Sequence, residues 1–298
     1  MPIPVRNCVL CNQEMDEKHD KIIIDIWANN FLKLEPPYRV LRCRRCNLGW
    51  LDPQPTENEY LALYRKEYYE GNLWGGRSYE YLAQERKRFF SQRLQEIARY
   101  LRDNKLNAKI IDIGAGTGDF IRSALEMGFQ AYGYEISSFA REKAIEKYGL
   151  ELWGPDISEL AIEPESVDVI HMNHVLEHLT KPRQMLDLFN KWLKPRGLMV
   201  VEVPHQMRNL LDIINYYYRR GSRTFGLLSL HHAYFYTPWS LRILLQQHLF
   251  RIEKIRTYYP YMQLYTTNRA KRLIKKGIFF FGGLINRGFI IEAFVSKS

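Results

Sequence analysis

The sequence predicts an α/β fold in which a parallel sheet is wound with helices on both faces. From Lys109 onward, short apolar segments alternate with stretches of helical period, which is typical of repeated βα units. The first apolar segment runs directly into a glycine-rich turn, "IIDIGAGTGDF" at residues 110–120. All four cysteines lie in two pairs ahead of this region, so we expect a small N-terminal module beside the sheet.

The alternation predicts the elements of the sheet in turn. The predicted strands are "KIIDI", "FQAYGYEI", "LELW", "VDVIHMN" and "GLMVVEV", and the predicted helices between them include "SSFAREKAIEKYG" and "PRQMLDLFNKWLK". The helix "SLRILLQQHLF" then precedes two more strands, "RIEKIRTY" and "FIIEAFVSK". We expect an N-terminal module at 1–55, a helical connector or lid at 56–105 and the main domain at 106–298, with an insertion at 204–237.

The cysteine spacing indicates a structural zinc site. Two Cys-x2-Cys pairs can each wrap a tight knuckle around one metal ion, and together they supply the four thiolates that zinc prefers: Cys8, Cys11, Cys43 and Cys46. Asn12 and Asn47 follow the two knuckles, where a left-handed backbone is often needed, and asparagine tolerates that conformation best after glycine. The segments "KIIIDIW" and "YRVLRC" supply strands between the pairs. Two disulfides or free thiols are the alternative.

The glycine-rich turn does not have the spacing of a diphosphate site. A dinucleotide fingerprint needs a glycine where Asp119 stands, and the Gly-Lys-Ser/Thr of a P-loop is missing after Gly114. The acid Asp112 before the turn would repel a phosphate and suits a ligand that carries an ammonium and a sulfonium group. A tight connection from strand to helix, without a ligand, is the alternative.

Polar side chains follow each of the next predicted strands. Glu135, Asp156 and Asn173 come after the second, third and fourth strands. In an open parallel sheet the ligand lies across the carboxyl ends of the strands. An acid 21 residues beyond the first glycine, as Glu135 is, suits the hydroxyl groups of a ribose.

The stretch "VDVIHMNHVLEHLTKPRQMLDLFNKWLKPRGLMVVEVPH" resembles class I S-adenosylmethionine-dependent methyltransferases. The resemblance covers about residues 106–255 and includes the glycine loop, the Leu-Glu-His element and the Leu-Lys-Pro-x-Gly turn. It implies a Rossmann-like sheet of seven strands, of which the last is antiparallel. The cysteine pairs with "RCRRCNLGWLDPQP", and the later "HHAYFYTPWSLRILLQQHLF", are similar to a bacterial subset with a zinc ribbon that acts on sugars and other small metabolites.

The resemblance implies a role for each residue of the donor site. Glu135 and Ile136 would lie at the ribose, Asp156 and Ile157 at the adenine, and Asn173 near the sulfonium. The loop around the methionine portion would consist of Asp112, Gly114, Ala115, Gly116, Thr117 and Gly118. Three residues depart from the family pattern where glycine is commoner: Arg196 in the turn, and Asn12 and Asn47 in the knuckles.

Histidines are concentrated where an acceptor would bind. Six of the eight lie between residues 171 and 232, and we expect His178 and His232 to act on the acceptor, as a base or as a hydrogen-bonding group. The alternative for His178 is a residue that braces its helix, and His171, inside a strand, is expected in the core. A catalytic metal on His174 and His178, with Glu177 adjacent, is a further alternative, although the sequence shows no clear third ligand.

The positive charge of the chain is uneven. The net charge is +10, and residues 204–298 hold 15 Lys/Arg against 3 Asp/Glu, which favours an anionic partner there. Arg219, Arg220 and Arg223 in the insertion could clamp a phosphate, and the basic and aromatic segment 269–289 could rest on a membrane surface. The start "MPIPVRNCVLCNQ" has no apolar core of a signal peptide, so we expect a cytoplasmic protein, possible membrane contact aside.

These features predict a methyltransferase with S-adenosylmethionine as co-substrate and a small, phosphate-bearing acceptor. An O- or C-methylated sugar nucleotide, glycan precursor or secondary metabolite would fit. Methylation of rRNA or tRNA is an alternative, but residues 1–55 are nearly neutral, with 8 Lys/Arg and 7 Asp/Glu. A non-catalytic scaffold that binds the donor in a biosynthetic complex is the third possibility. The sequence does not fix the oligomeric state.

Overall fold

The computed structural model describes residues 7–14, 39–52, 54, 56, 83–101, 107–206, 208–211, 213, 214, 232–259 and 269–298. Its strands are β1 Arg39–Arg42, β2 Gly49–Asp52, β3 Lys109–Ile113, β4 Gln130–Tyr134, β5 Val167–Asn173, β6 Leu193–Pro204, β7 Tyr234–Phe235, β8 Phe250–Tyr258 and β9 Ile290–Lys297. Its helices are α1 Ala83–Leu101, α2 Asp119–Glu126, α3 Ser138–Tyr148, α4 Pro182–Trp192, α5 Pro238–Gln247 and α6 Arg269–Leu284.

The main sheet has the strand order β4-β3-β5-β6-β9-β8. The first four strands are parallel, and β9, the last strand in the chain, is antiparallel to both β6 and β8. The predicted antiparallel final strand is therefore present. Helices pack on both faces, because neighbouring residues of β3 point to opposite sides: Ile110 joins the core with α1 and α2, and Ile111 joins the core with α4 and α5.

The expected seven strands are not all found, because the main sheet contains six within the part of the chain that the structure describes. The predicted strand "LELW" forms only one parallel bridge, between Trp153 and Tyr134. Trp153 donates to Gly133 O and accepts from Glu135 N, which holds this segment against the edge of β4. Pro155 follows two residues later, and since it has no N–H the ladder does not continue.

Local sequence signals explain where the helices begin and end. Ser137 caps α3 by accepting from Ala140 N, and the helix ends at Gly149 with φ 65°. Thr237 and Ser240 form a capping box at the start of α5, with Pro238 as its first residue. Arg196, in the turn where glycine is commoner, has φ 62°, which shows that this turn requires the left-handed conformation.

The cysteine module packs directly on the main domain. Its strands β1 and β2 are antiparallel, and β2 also pairs with β7, which follows the insertion in the chain. Trp50 is fully buried and lies in the same hydrophobic core as Ile170 and Met199 of the main sheet. The predicted strand "YRVLRC" is confirmed as β1, whereas "KIIIDIW" lies outside the described residues.

Helix α6 occupies most of the segment for which membrane contact is predicted. One of its faces packs on the protein, where the rings of Phe279 and Tyr259 stack at 4.1 Å. Five of its large apolar side chains are more than 60 % exposed: Leu273, Ile274, Phe280, Phe281 and Leu284. No described helix is both long enough and apolar enough to cross a membrane. Membrane contact through 269–289 stays a prediction.

A buried ion cluster joins α1 to the middle of the sheet. Arg93 is 2 % exposed, and its Nη2 lies 2.5 Å from Glu202 Oε2 and 2.6 Å from Glu292 Oε1. Tyr258 donates to the same Glu202 oxygen at 2.6 Å. Burial would raise the pKa of Glu202, but the charges of Arg93 and His174 outweigh it and lower the pKa to about 2. The carboxylate is therefore charged inside the core.

Arg93→Met would remove the cation that lies between two buried carboxylates. We expect a loss of about 3–5 kcal/mol in the free energy of unfolding, because a buried charge left without its partner is strongly destabilising. Urea denaturation at neutral pH measures the loss. Arg99→Met, at an exposed position of the same helix, is the control and should change stability by under about 0.5 kcal/mol. Equal stabilities of the two variants would contradict the role given to Arg93.

Candidate functional site

The glycine loop lies between β3 and α2 at the carboxyl edge of the sheet. Gly114, Gly116 and Gly118 have φ values of 76°, 55° and 82°, in the left-handed region. A Cβ on Gly114 would lie 2.4 Å from Val175 Cγ2, so this position has no room for a side chain. Gly114 N and Ala115 N both donate to Tyr134 O, at 2.8 and 2.9 Å, which fixes the loop to the end of β4. The buried Thr117 donates to Asp119 Oδ2 at 3.1 Å.

Glu135 is held by backbone amides at the end of β4. It is 4 % exposed, and its two carboxylate oxygens accept from Gly116 N at 2.8 Å and from Ser137 N at 2.9 Å. Arg141 donates to the carbonyl oxygens of Glu135 and Ile136. An ionised carboxylate has about four acceptor positions, so Glu135 can still accept from a ligand hydroxyl.

Asp112 is as buried as Glu135 and is paired with a buried histidine. It is 4 % exposed, and its Oδ1 is 2.7 Å from His171 Nδ1. His171 is fully buried, as expected, and stacks on the Phe120 ring at 3.8 Å. The second ring nitrogen of His171 lies 3.4 Å from Arg93. Asp112 therefore connects the base of the glycine loop to the buried ion cluster.

Asp156 and Asn173 lie at the same edge but in different surroundings. Asp156 is exposed, and its Oδ1 accepts from the backbone N and the hydroxyl of Ser158, which lowers its pKa. It caps the short 3-10 helix Ile157–Glu159, whose first residue, Ile157, is half-buried. Asn173 ends β5, and its Oδ1 is buried without a hydrogen-bond partner among the described residues. A buried acceptor in this state fits a positively charged ligand group.

Glu177, His178 and His232 form a cluster just beyond Asn173. One ligand atom from each lies within 4.8 Å of the others. Glu177 is fully buried, His178 Nε2 lies 3.7 Å from its Oε1, and the His178 and His232 rings meet edge-on at 4.8 Å. His178 belongs to the short 3-10 helix Leu176–His178 rather than to a longer helix. The two histidines predicted to act on the acceptor are thus brought together.

The hydrogen bond of His232 to Gln206 orients its ring. His232 Nδ1 lies 2.7 Å from Gln206 Oε1, and in the tautomer that donates to this amide oxygen Nδ1 carries the proton. The lone pair is then on Nε2. This arrangement suits either a proton acceptor or a metal ligand.

His174 is not equivalent to the other two histidines. It lies between two carboxylates, with Nδ1 3.2 Å from Glu177 and Nε2 3.4 Å from Glu202. Burial, which would lower the pKa of His174, is only partial because 42 % of its side chain is exposed, and the two carboxylates raise the pKa to about 10. The two carboxylates therefore favour the protonated form of His174. In the metal alternative the third ligand beside Glu177 and His178 would be His232, not His174.

The four cysteines form a second cluster, in the N-terminal module. All four sulfur atoms lie within 4.8 Å of one another, and the pairs Cys8–Cys46 and Cys11–Cys43 are 3.5 Å apart. None of the four forms a disulfide, since a disulfide would hold its two sulfur atoms about 2.05 Å apart. The hydrogen bond between Cys8 and Cys46 lowers the pKa of the Cys8 thiol. Asn12 and Asn47 have φ values of 55° and 60°, so the predicted left-handed knuckles are confirmed.

Several residues of this region were not predicted. Arg93, Glu202, Glu292 and Gln206 hold the site residues, yet none was a candidate. The signal for Glu202 and Glu292 was present, because each is the single acid of its strand and has an apolar residue on either side. Gln206 carries no such signal. The predicted phosphate clamp of Arg219, Arg220 and Arg223 lies outside the described residues.

Comparison with known proteins adds an independent result. A family model described as a methyltransferase domain matches residues 81–255, which is more than half of the chain. An uncharacterized methyltransferase of Geobacillus kaustophilus is 31 % identical over 101 residues, which cover 33 % of this chain and 47 % of that protein. One from Geobacillus thermodenitrificans is 33 % identical over 79 residues, covering 26 % and 37 %. The chain thus spans less than half the length of these curated relatives.

Solved structures show the same fold at low sequence identity. A SAM-dependent methyltransferase from Archaeoglobus fulgidus is similar with a TM-score of 0.51 and 19 % identity, covering 74 % of this chain and 100 % of that one. Phosphoethanolamine N-methyltransferase 2 of Haemonchus contortus, in complex with S-adenosyl-L-methionine, has a TM-score of 0.51 and 15 % identity, covering 91 % and 72 %. The chain belongs to the family of proteins with this methyltransferase domain, and its fold is that of the S-adenosylmethionine-dependent methyltransferases.

Proposed function

We propose that the protein transfers a methyl group from S-adenosylmethionine to an oxygen or carbon atom of a small, phosphate-bearing acceptor such as a sugar nucleotide or glycan precursor. One observation carries the proposal. The glycine loop follows β3, and His178 follows the neighbouring strand β5. The loop and the His178–His232 pair therefore lie at the same carboxyl edge of the sheet. In an open parallel sheet this edge is where ligands bind.

The residues at this edge fit the donor. Glu135 would accept from the ribose hydroxyls, and the capped carboxylate of Asp156 would lie at the adenine beside Ile157. Asn173 would place its unpartnered oxygen near the positive charge of the donor. The glycine loop from Gly114 to Gly118, on Asp112, would surround the methionine portion, where the tight backbone leaves room for close approach.

The chain's own groups would then position the acceptor and remove its proton. S-adenosylmethionine supplies a methyl group on an activated sulfonium, so much of the acceleration comes from holding the two reactants in line. His232 would take the acceptor's proton on Nε2, because Gln206 fixes its proton on Nδ1. His178 would pair with His232 edge-on, and the buried Glu177 beside it would stabilise the charge that forms.

The cysteine cluster supports a structural zinc ion. Tetrahedral zinc with Zn–S bonds of about 2.3 Å sets its sulfur atoms about 3.8 Å apart, close to the spacing of the four thiols here. Cys8, Cys11, Cys43 and Cys46 would fill all four positions. No position would then be left for a substrate.

Transfer of label from methyl-labelled S-adenosylmethionine tests the function. We expect the purified protein, added to a fractionated cell extract, to place label in the nucleotide-sugar or polar-lipid fraction. Glu135→Ala should weaken donor binding at least tenfold, while Glu142→Ala, at an exposed acid on α3, should leave it unchanged. Label in RNA would support the rRNA or tRNA alternative instead. Donor binding without transfer to any fraction would support the scaffold.

His232→Gln tests the proton acceptor. With the acceptor fraction that takes label, we expect kcat to fall roughly 10²–10⁴-fold, the usual contribution of a general base, without loss of donor affinity. Because a general base acts only in its deprotonated form, kcat of the wild-type protein should rise with pH, and this rise should be absent from the variant. His248→Gln is the control, because His248 pairs with Asp187 outside this cluster. If both variants keep the pH profile of the wild-type protein, His232 is not the base.

Removal of zinc tests the cysteine cluster. We expect one zinc per chain by elemental analysis, and Cys43→Ser should lose it. Because Trp50 and the four thiols share a core with the main sheet, loss of about 3 kcal/mol should lower Tm by roughly 6–12 °C. Zinc added back to the chelated wild-type protein should restore Tm, whereas magnesium should not. A wild-type protein with no bound zinc and an unchanged Tm after chelation would refute the site.

A further inference from the structure

Three arginines from distant parts of the chain meet near the carboxyl edge of the sheet. Arg42 ends β1, Arg208 follows β6, and Arg287 precedes β9. The strands β6 and β9 are paired with Pro204 opposite Ile290, so Arg208 and Arg287 leave the sheet at the same end. Hydrogen bonds between His205 and both Gly288 and Phe289 join the two segments there. We call Arg42, Arg208 and Arg287 the arginine cluster.

The arginine cluster is organised around one neutral oxygen atom. Arg42 Nη2 and Arg208 Nη1 both donate to Asn47 Oδ1, at 2.9 and 2.7 Å. Arg287 Nη1 donates to the carbonyl oxygen of Arg208 at 3.1 Å. Two guanidinium groups therefore lie on either side of a single amide oxygen, and the third is bound to the backbone of the second.

No carboxylate balances this charge within the described part of the chain. None of the three arginines forms an ion pair there, although nearby arginines and lysines such as Lys254 and Arg256 do. Arg42 Nε is buried and has no hydrogen-bond partner. Burial lowers the pKa of Arg208, and the charges of Arg42 and Arg287 lower it further. A bound anion would offset the repulsion between these like charges and would accept a hydrogen bond from the unpaired donor.

The zinc site does not remove this excess of positive charge. A zinc ion on four thiolates would carry a net negative charge, but its second knuckle also holds Arg44 and Arg45 in addition to the adjacent Arg42. Arg208 and Arg287 belong to other segments.

The arginine cluster adjoins the histidine pair along the chain. Gln206, which orients His232, precedes Arg208 by two residues, and Asn47 belongs to the module whose strand β2 pairs with β7 directly after His232. An anion held by the arginines would thus lie beside the proposed acceptor site.

We propose that Arg42, Arg208 and Arg287 bind the phosphate or diphosphate group of the acceptor. This rests on the proposed function and deepens it, because it names the group by which the acceptor is recognised. Planar guanidinium groups form paired hydrogen bonds to phosphate oxygens and give both charge and direction. The methylated atom would then lie on the part of the acceptor that extends from its phosphate toward His232.

Pyrophosphate binding to the full-length protein tests the arginine cluster without knowledge of the acceptor. We expect calorimetry to show binding of pyrophosphate to the wild-type protein, with a rise in Tm. Arg208→Gln and Arg287→Gln should each weaken binding at least tenfold, and Arg208→Lys should retain an intermediate affinity. Arg122→Gln, at an exposed arginine paired with Glu126, is the control and should bind as the wild type does.

The outcomes separate this proposal from the proposed function. Equal pyrophosphate affinity in Arg208→Gln, Arg287→Gln and the control would overturn the proposal. Tighter binding of an RNA oligonucleotide than of pyrophosphate, lost in the same variants, would also overturn it in favour of a nucleic-acid phosphate. Donor binding is measured alongside. Its absence from the wild-type protein would defeat the proposed function, whereas a failed pyrophosphate test with intact donor binding would defeat only the arginine cluster.

Discussion

The ion cluster around Arg93 is the constraint on which the rest of the site depends. A guanidinium and two carboxylates are stable in a core only as a group, because each would carry a large desolvation cost alone. Arg93 comes from α1, Glu202 from β6 and Glu292 from β9. The pairing therefore fixes a helix that precedes the glycine loop against two central strands of the sheet.

Both halves of the candidate site are attached to this cluster. On one side His171 connects Arg93 to Asp112, at the base of the glycine loop. On the other side His174 connects Glu202 to Glu177, beside the histidine pair. The glycine loop and the proposed proton acceptor are thus supported by one continuous set of polar contacts, which are buried except at His174. A site held mainly by buried contacts keeps its geometry, which methyl transfer needs because it relies on the alignment of the two reactants.

Features that depend on neighbours in the sequence could be predicted, and those that depend on distant segments could not. The glycine loop, the left-handed knuckles at Asn12 and Asn47 and the antiparallel last strand follow from local spacing or from the family resemblance. The segment "LELW" was predicted as a full strand but forms only one bridge, at Trp153. Apolar content alone does not show that a segment lies at a sheet edge beside a proline. The partners of Arg93 lie 109 and 199 residues away, a pairing that no local pattern contains.

The same limit applies to the interpretation of charge. The excess of cations after residue 204 predicts an anionic partner for that part of the chain, but a net charge does not show which cations are already neutralised. In the structure Lys254 and Arg256 share Glu96, and Arg251 pairs with Glu253. What distinguishes Arg208 is that the charged groups acting on it among the described residues are Arg287 and Arg42, both of them cations. A count of cations therefore does not locate the proposed anion site, whereas the contacts of Arg208 and Arg287, which include no acid among the described residues, single them out.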